Sequence, residues 1–161
     1  MRSKFFGLLI GLLTVAFVAL GAVGGSLYWN RVMQHGQEAA RAELPAVAAD
    51  QIPKVFGYDY QTVERSLMET YPLLAPDFRQ KFEQDAAAKV IPEARKRQLV
   101  VQISVVGVGV MTAERESGSV LVYMNRTVTD KSRQPLYDGS RLKVDYRKVG
   151  GDWLINAINP I

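Results

Sequence analysis

The chain has 161 residues, 48% of them hydrophobic and 22% charged, with a formal net charge of +4 and no cysteine. Without a thiol, disulfides, thiolate catalysis and Cys-ligated zinc or iron–sulfur centres are excluded. Arg2 and Lys4 supply two of its 20 Lys and Arg residues; against 16 Asp and Glu the remainder is close to neutral, which does not mark a nucleic-acid binder.

Residues 1–4 form a short basic tail, and from Phe5 to Tyr28 no side chain carries a charge. Coiled at about 1.5 Å per residue, such a run crosses a hydrocarbon core of roughly 30 Å. Arg2 and Lys4 flank it on one side and Tyr28, Trp29 and Arg31 on the other; Trp and Tyr favour the headgroup level. The expectation is a single-pass transmembrane helix over 5–28 in the plasma (inner) membrane. The positive-inside bias puts the tail in the cytoplasm and the rest of the chain on the extracytoplasmic, periplasmic side. A cleaved signal peptide is the competing reading, since Ala19-Leu20-Gly21 and Ala22-Val23-Gly24 loosely fit a small-x-small cleavage site. Signal-peptide apolar cores, however, run to only about 7–15 residues. Gly7, Gly11, Gly21 and Gly25, with Thr14 and Val18 between them, share one helical face. Small residues on such a stripe let a second helix approach closely in lipid, although Gly is common in membrane helices in any case.

Residues 29–57 read as a juxtamembrane helical linker rich in Ala, Glu, Gln and Arg, broken or kinked at Pro45 and Pro53. An extracytoplasmic domain over 58–161 follows. Tyr58-Asp59-Tyr60 leads into a helix with Asp59 as its N-cap and Val63, Leu67 and Thr70/Tyr71 on one face; Pro72 closes it. Pro76 and Asp77 open another helix, with Phe78, Phe82, Ala86 and Val90 as its buried stripe. Pro92 interrupts, leaving one last turn over 93–98.

From Leu99 the period changes to two. A long strand follows, with Gly107 and Gly109 marking a bulge or curl. Residues 114–118 turn into the strand SVLVYMNRTVT, 130–135 connect to a strand with Leu142, Val144 and Tyr146 on one face, and Gly150-Gly151 is a hairpin signal before Trp153-Leu154-Ile155. Three helices followed by a four-stranded antiparallel meander predict an α+β domain, helices on one face of a curved sheet. Phe78, Phe82, Tyr146 and Trp153 are the expected structural core.

No catalytic, metal or cofactor site is expected. His35 is the only histidine, so no multi-His metal site can be assembled, and any Ser–His–acid set would have to be built on this one residue, which sits about one turn past the apolar run. Gly107-x-Gly109 lies in a strand with neither a third glycine nor a following helix, unlike a phosphate loop. Asp138 and Asp145 with Tyr123, Tyr137 and Tyr146 could line a pocket for proton transfer, but alternation turns Asp145 to water while Tyr146 packs inward. Asn125-Arg126-Thr127 matches a glycosylation sequon, and Arg95-Lys96-Arg97 is a basic cluster suited to a helix C-terminus.

The stretch Tyr58–Gln84 and then Ser119–Ile161 resembles the actinobacterial Mce-associated membrane proteins, accessory to the mammalian cell entry lipid importers. The residues that carry the likeness are the Tyr-Asp-Tyr helix entry, Leu73-Leu74 followed by Asp77-Phe78-Arg79, the VLVYMNRTVT strand, Asp138-Gly139-Ser140-Arg141-Leu142, and Trp153-Leu154 with the Asn-Pro-Ile ending. Ala75-Pro76 departs from the small polar cap and glycine of that pattern, and Pro45 interrupts the linker helix. The resemblance implies a nuclear transport factor 2-like (cystatin-like) fold, shared with periplasmic domains of type IV secretion assembly proteins, in which a curved sheet wraps helices around a cone-shaped cavity. It also implies a non-enzymatic subunit that stabilises an Mce lipid-import complex, with Mce transporter subunits as partners. Two readings compete with that one. One is an enzyme or small-apolar-ligand binder using the cavity; the other is an assembly factor of another envelope machine, such as a secretion system.

Overall fold

The structure, a computed structural model, describes residue 32 and residues 34–161. The expected span over 5–28, with Gly7, Gly11, Gly21 and Gly25, lies outside the described residues. Among the described residues no helix is long and apolar enough to cross a membrane. Gln37–Ile161 belongs to one structural unit.

Residues 34–56 are helical (α1), and Ala40, Leu44, Ala48, Ile52 and Val55 along it are each no more than 4% exposed. They belong to the same hydrophobic cluster as Val120, Val122, Val144, Trp153 and Ile155 of the sheet. The segment expected as a linker is therefore, from residue 40 onward, the centre of the core. Neither Pro45 nor Pro53 ends the helix. Two internal prolines cost about 6 kcal/mol through their missing N–H groups; fully burying Leu44, Ile52 and Val55 contributes about 5–9 kcal/mol, with Ala40 and Ala48 adding to it, so packing offsets the local penalty.

Tyr58–Asp59 form a short strand, β1, rather than a helix cap. Asp59 accepts from the Gln61 N–H at 2.8 Å in the turn that follows, and Thr62 occupies the cap position of α2, Val63–Thr70. Val63, Leu67 and Thr70 are the buried face of α2, and the Thr70 hydroxyl lies 3.0 Å from the Lys54 carbonyl of α1. A 3-10 turn, Tyr71–Leu73, leads to α3, Pro76–Asp85, which Pro76 opens as expected. One π turn, Ala86–Val90, then carries the helix directly into α4, Ile91–Arg97. The wider turn shifts the carbonyl ladder where Pro92 can donate nothing, so the proline is absorbed instead of breaking the helix. Gln98, at φ 53°, ends it in the left-handed conformation, with the Leu99 N–H donating back to the Ala94 carbonyl at 2.9 Å.

Four long strands follow: β2 (Val100–Ala113), β3 (Ser117–Thr129), β4 (Pro135–Val149) and β5 (Asp152–Pro160). With β1 they make a five-stranded antiparallel sheet in the order β1-β2-β3-β4-β5, one strand more than expected. Gly150 and Gly151, at φ 64° and 103°, form the β4–β5 hairpin, a backbone region that L side chains rarely enter. Register slips at Val106, Met111 and Asn156 mark bulges that bend β2 and β5 and curl the sheet. The inward positions Val120, Val122, Met124, Leu142, Val144, Tyr146, Trp153 and Ile155 are all buried against the helices. Gly118 lets α1 come close, since a Cβ there would lie 2.5 Å from the Leu44 Cδ1. Phe78 and Phe82 are half-buried, packed on the core's margin with ring centroids 6.2 Å apart. A second cluster, with Val63, Leu67, Ala86, Ala94 and Leu99, joins α2 to the continuous helix of α3 and α4.

Two substitutions check this packing by denaturant unfolding. Leu44→Ala is expected to cost about 2–5 kcal/mol, as for other fully buried leucines. Tyr146→Phe is expected to be neutral or stabilising by about 1 kcal/mol, because the buried Tyr146 hydroxyl has no hydrogen-bond partner among the described residues.

Candidate functional site

Trp153 fastens α1 to the last strand. Its indole N–H donates to Glu43 Oε2 of α1 at 2.7 Å, and its carbonyl accepts from Gln51 Nε2 at 3.0 Å. Lys148 of β4 donates to the same Glu43 oxygen at 3.1 Å and lies 5.0 Å from the centre of the Trp153 ring. The Trp153 hydrogen bond, and after it the one from Lys148, holds the Glu43 carboxyl below its ordinary range. Nothing in the local pattern of residues 38–50 points to this clamp, which joins positions 105 and 110 residues apart.

The acids and tyrosines considered for proton transfer are not brought together. Tyr146 points into the core, and burial pushes its hydroxyl well above the usual phenol range. Asp145 faces the other way and pairs with Lys143 at 3.2 Å. Asp138 pairs with Arg126 at 2.8 Å, while Tyr123 and Tyr137 are exposed. His35 is exposed on α1, Asn125 is exposed on β3, and Gly107 and Gly109 lie in β2. Arg95, Lys96 and Arg97 form the last turn of α4, with Arg95 on Glu64 at 3.0 Å and Arg97 on Glu93 at 3.4 Å. Among the described residues no group of three or more His, Asp or Glu could hold a metal ion.

The curved sheet's inner side, where the expected cone-shaped cavity would open, is occupied by the buried stripe of α1. An open groove of about 450 Å³ lies elsewhere, beside β5, lined by Tyr71, Pro72, Leu74, Pro76, Arg79 and Leu154 among others. It exists because Leu74 and Ala75 run along the edge of β5, with the Ala75 N–H donating to the Ile155 carbonyl at 2.8 Å. Arg79 stacks 5.3 Å from the centre of the Tyr71 ring and pairs with Glu83 at 2.6 Å. Burial raises the Tyr71 hydroxyl, with Glu83 adding to the rise. An apolar floor under one satisfied ion pair offers contact area rather than a poised acid or base. Sequence reasoning took Pro72 and Pro76 only as helix punctuation, and their shared wall appears once β5 folds back beside them.

No family model matches the chain. Among curated proteins, the outer membrane protein Rv1973 of Mycobacterium tuberculosis H37Rv is 28% identical over 160 residues, covering 99% of this chain and 98% of that protein. The uncharacterized protein Rv1362c of the same organism is 29% identical over 145 residues, covering 86% of this chain and 66% of that one. Among solved structures, an IcmL-like type IV secretion system protein from Legionella pneumophila superposes with TM-score 0.65 at 12% identity, over 75% of this chain and 93% of that one. The VirB8 protein of Agrobacterium tumefaciens gives TM-score 0.59 at 15% identity, over 72% and 88%. The periplasmic domain of DotI gives 0.61 at 12%, over 73% and 92%. The fold is thus the nuclear transport factor 2-like α+β fold of VirB8-type periplasmic domains.

The clamp predicts a specific acid sensitivity. Because folding lowers the Glu43 pKa, its contribution is present above the ordinary unfolded value near pH 4.3 and disappears as pH falls through the lower folded value. Glu43→Gln should therefore be less stable than wild type at pH 6, with the gap narrowing between pH 5 and pH 3 in urea unfolding. A gap that stays constant across that range contradicts the clamp.

Proposed function

We propose that this chain is a non-catalytic, membrane-anchored assembly subunit of a multi-protein machine in the cell envelope, its domain on the extracytoplasmic side. The observation that carries this reading is the packing of α1 on the sheet's inner side, where the resemblance implies a cone-shaped cavity and the competing reading a ligand. What remains for function is surface. The likeness to periplasmic domains of type IV secretion system proteins supports a component of a secretion-type assembly over a cavity enzyme. The narrower reading, with Mce transporter subunits as partners and lipid import as the task, rests on the motifs of Tyr58–Gln84 and Ser119–Ile161 alone.

Affinity purification from native membranes in mild detergent tests this. Envelope-complex subunits should co-purify, and deleting the gene should lower their abundance while their transcripts stay unchanged, because an assembly partner protects what it binds. Recovery of the chain alone, with normal subunit levels in the deletion strain, contradicts the proposal. The identity of the recovered subunits separates a secretion machine from a lipid importer. Fractionation should place the chain with the plasma membrane through Phe5–Tyr28; recovery in an outer-membrane fraction, as the name of the relative has it, overturns that anchor.

A further inference from the structure

Over β2, β3 and β4 the outer face of the sheet lies open. The bulges in β2 turn Val106 and Met111 outward at 65% and 51% exposure, and Tyr123 beside them is 44% exposed. Register sets what stands next to what. Gly107, Tyr123 and Arg141 are neighbours across the three strands, and so are Gly109, Leu121 and Lys143. Each of these adjacent rows runs in the same order, from bare backbone through an apolar residue to a cation. Arg147 continues the basic line along β4 at the next outward position but one, opposite Ser117. Asp145, between Lys143 and Arg147, is paired with Lys143 at 3.2 Å, and Arg141 and Arg147 carry no ion pair among the described residues. The glycines are not demanded by internal packing, since a Cβ at Gly107 or Gly109 would meet nothing within 4 Å. An apolar strip with a basic border therefore faces outward.

We propose that this face docks on an anionic phospholipid surface. Arg141, Lys143 and Arg147 meet headgroup phosphates, and Val106, Met111 and Tyr123 enter the boundary between headgroups and acyl chains. A second copy fits less well, since it brings a second set of Arg141, Lys143 and Arg147 and no acidic line to meet the first. The apolar residues are spaced out singly along the strip, a pattern that suits a lipid surface better than a close-fitting folded partner. A bilayer accepts such side chains without shape matching, and Tyr favours the headgroup level. Resting on the anchor proposed above, the apolar run from Phe5 to Tyr28 holds the domain at high effective concentration near lipid. This inference does not depend on which machine the chain assembles.

The chain has no cysteine, so a single fluorescent label can be placed cleanly. Asn125→Cys puts it on the outer face of β3 beside Tyr123, and Met68→Cys on exposed α2 serves as control. Full-length protein goes into nanodiscs of phosphatidylcholine, alone or mixed with phosphatidylglycerol, each carrying a headgroup-level spin-label quencher. The label at 125 should be quenched in the anionic discs, little in the neutral ones, and released by high salt. Each of Arg141→Glu, Lys143→Glu and Arg147→Glu should weaken the association by about fivefold or more, and the triple variant should abolish it. Equal quenching at 125 and 68, or quenching indifferent to phosphatidylglycerol, overturns the proposal. So does absence of quenching with crosslinks from position 125 to an acidic protein, which would make the face a protein surface. Should the triple variant fail to fold, the lipid and salt comparisons on the otherwise native chain still decide.

Discussion

Everything in this domain leans on one contact, the stripe Ala40, Leu44, Ala48 and Ile52 of α1 lying across the inward residues of β3, β4 and β5. A curved sheet that presents Val120, Val122, Val144 and Ile155 on its inner face must bury them, and all four are fully buried. The small alanines and the bare Gly118 let the helix come close, and Leu44 and Ile52 fill the remaining space. Around that seat the polar ties fall into place: Glu43 to Trp153 and Lys148, Gln51 to the Trp153 carbonyl, and Thr70 of α2 to Lys54. Two of them hold α1 to Trp153 and the β4–β5 hairpin and one holds it to α2, so the helix both plugs the sheet and ties down its neighbours.

Much of this was legible where the signal is local. The change of period at Leu99, the inward set Leu142, Val144 and Tyr146, the diglycine hairpin and the proline at the head of α3 all express rules that act within a few residues. The misread parts depend on distant partners. Half of the α1 stripe is alanine, a weak hydrophobic signal, and two prolines inside it argue locally for a break; only the waiting sheet makes the segment core. Strand β1 is two residues long, too short for any period, and forms because Val100 and Val101 offer an edge. Pro92 was read as a break, but one π turn accommodates it. The clamp at Glu43 and the groove beside β5 arise from residues far apart in sequence, which no local pattern links.

A helix that fills the inner side leaves the domain its outer surfaces, and these are of two kinds. Beside β5 the groove pairs an apolar floor of prolines, leucines and Tyr71 with the Arg79–Glu83 ion pair. Across β2 to β4 the strip is apolar at one margin and basic at the other. Both are surfaces that offer contact area. Solved structures at 12–15% identity share this fold over 72–75% of the chain, showing how widely different sequences support the architecture.

The most direct measurement compares two fragments by circular dichroism and urea unfolding. Residues 37–161, which include α1, should give a cooperative transition with near-ultraviolet signal from a fixed Trp153. Residues 58–161, the domain as first expected from sequence, should show an exposed apolar sheet, with dye binding and no cooperative transition. If the shorter fragment unfolds as cooperatively as the longer one, α1 is an accessory to this fold and the central claim is wrong.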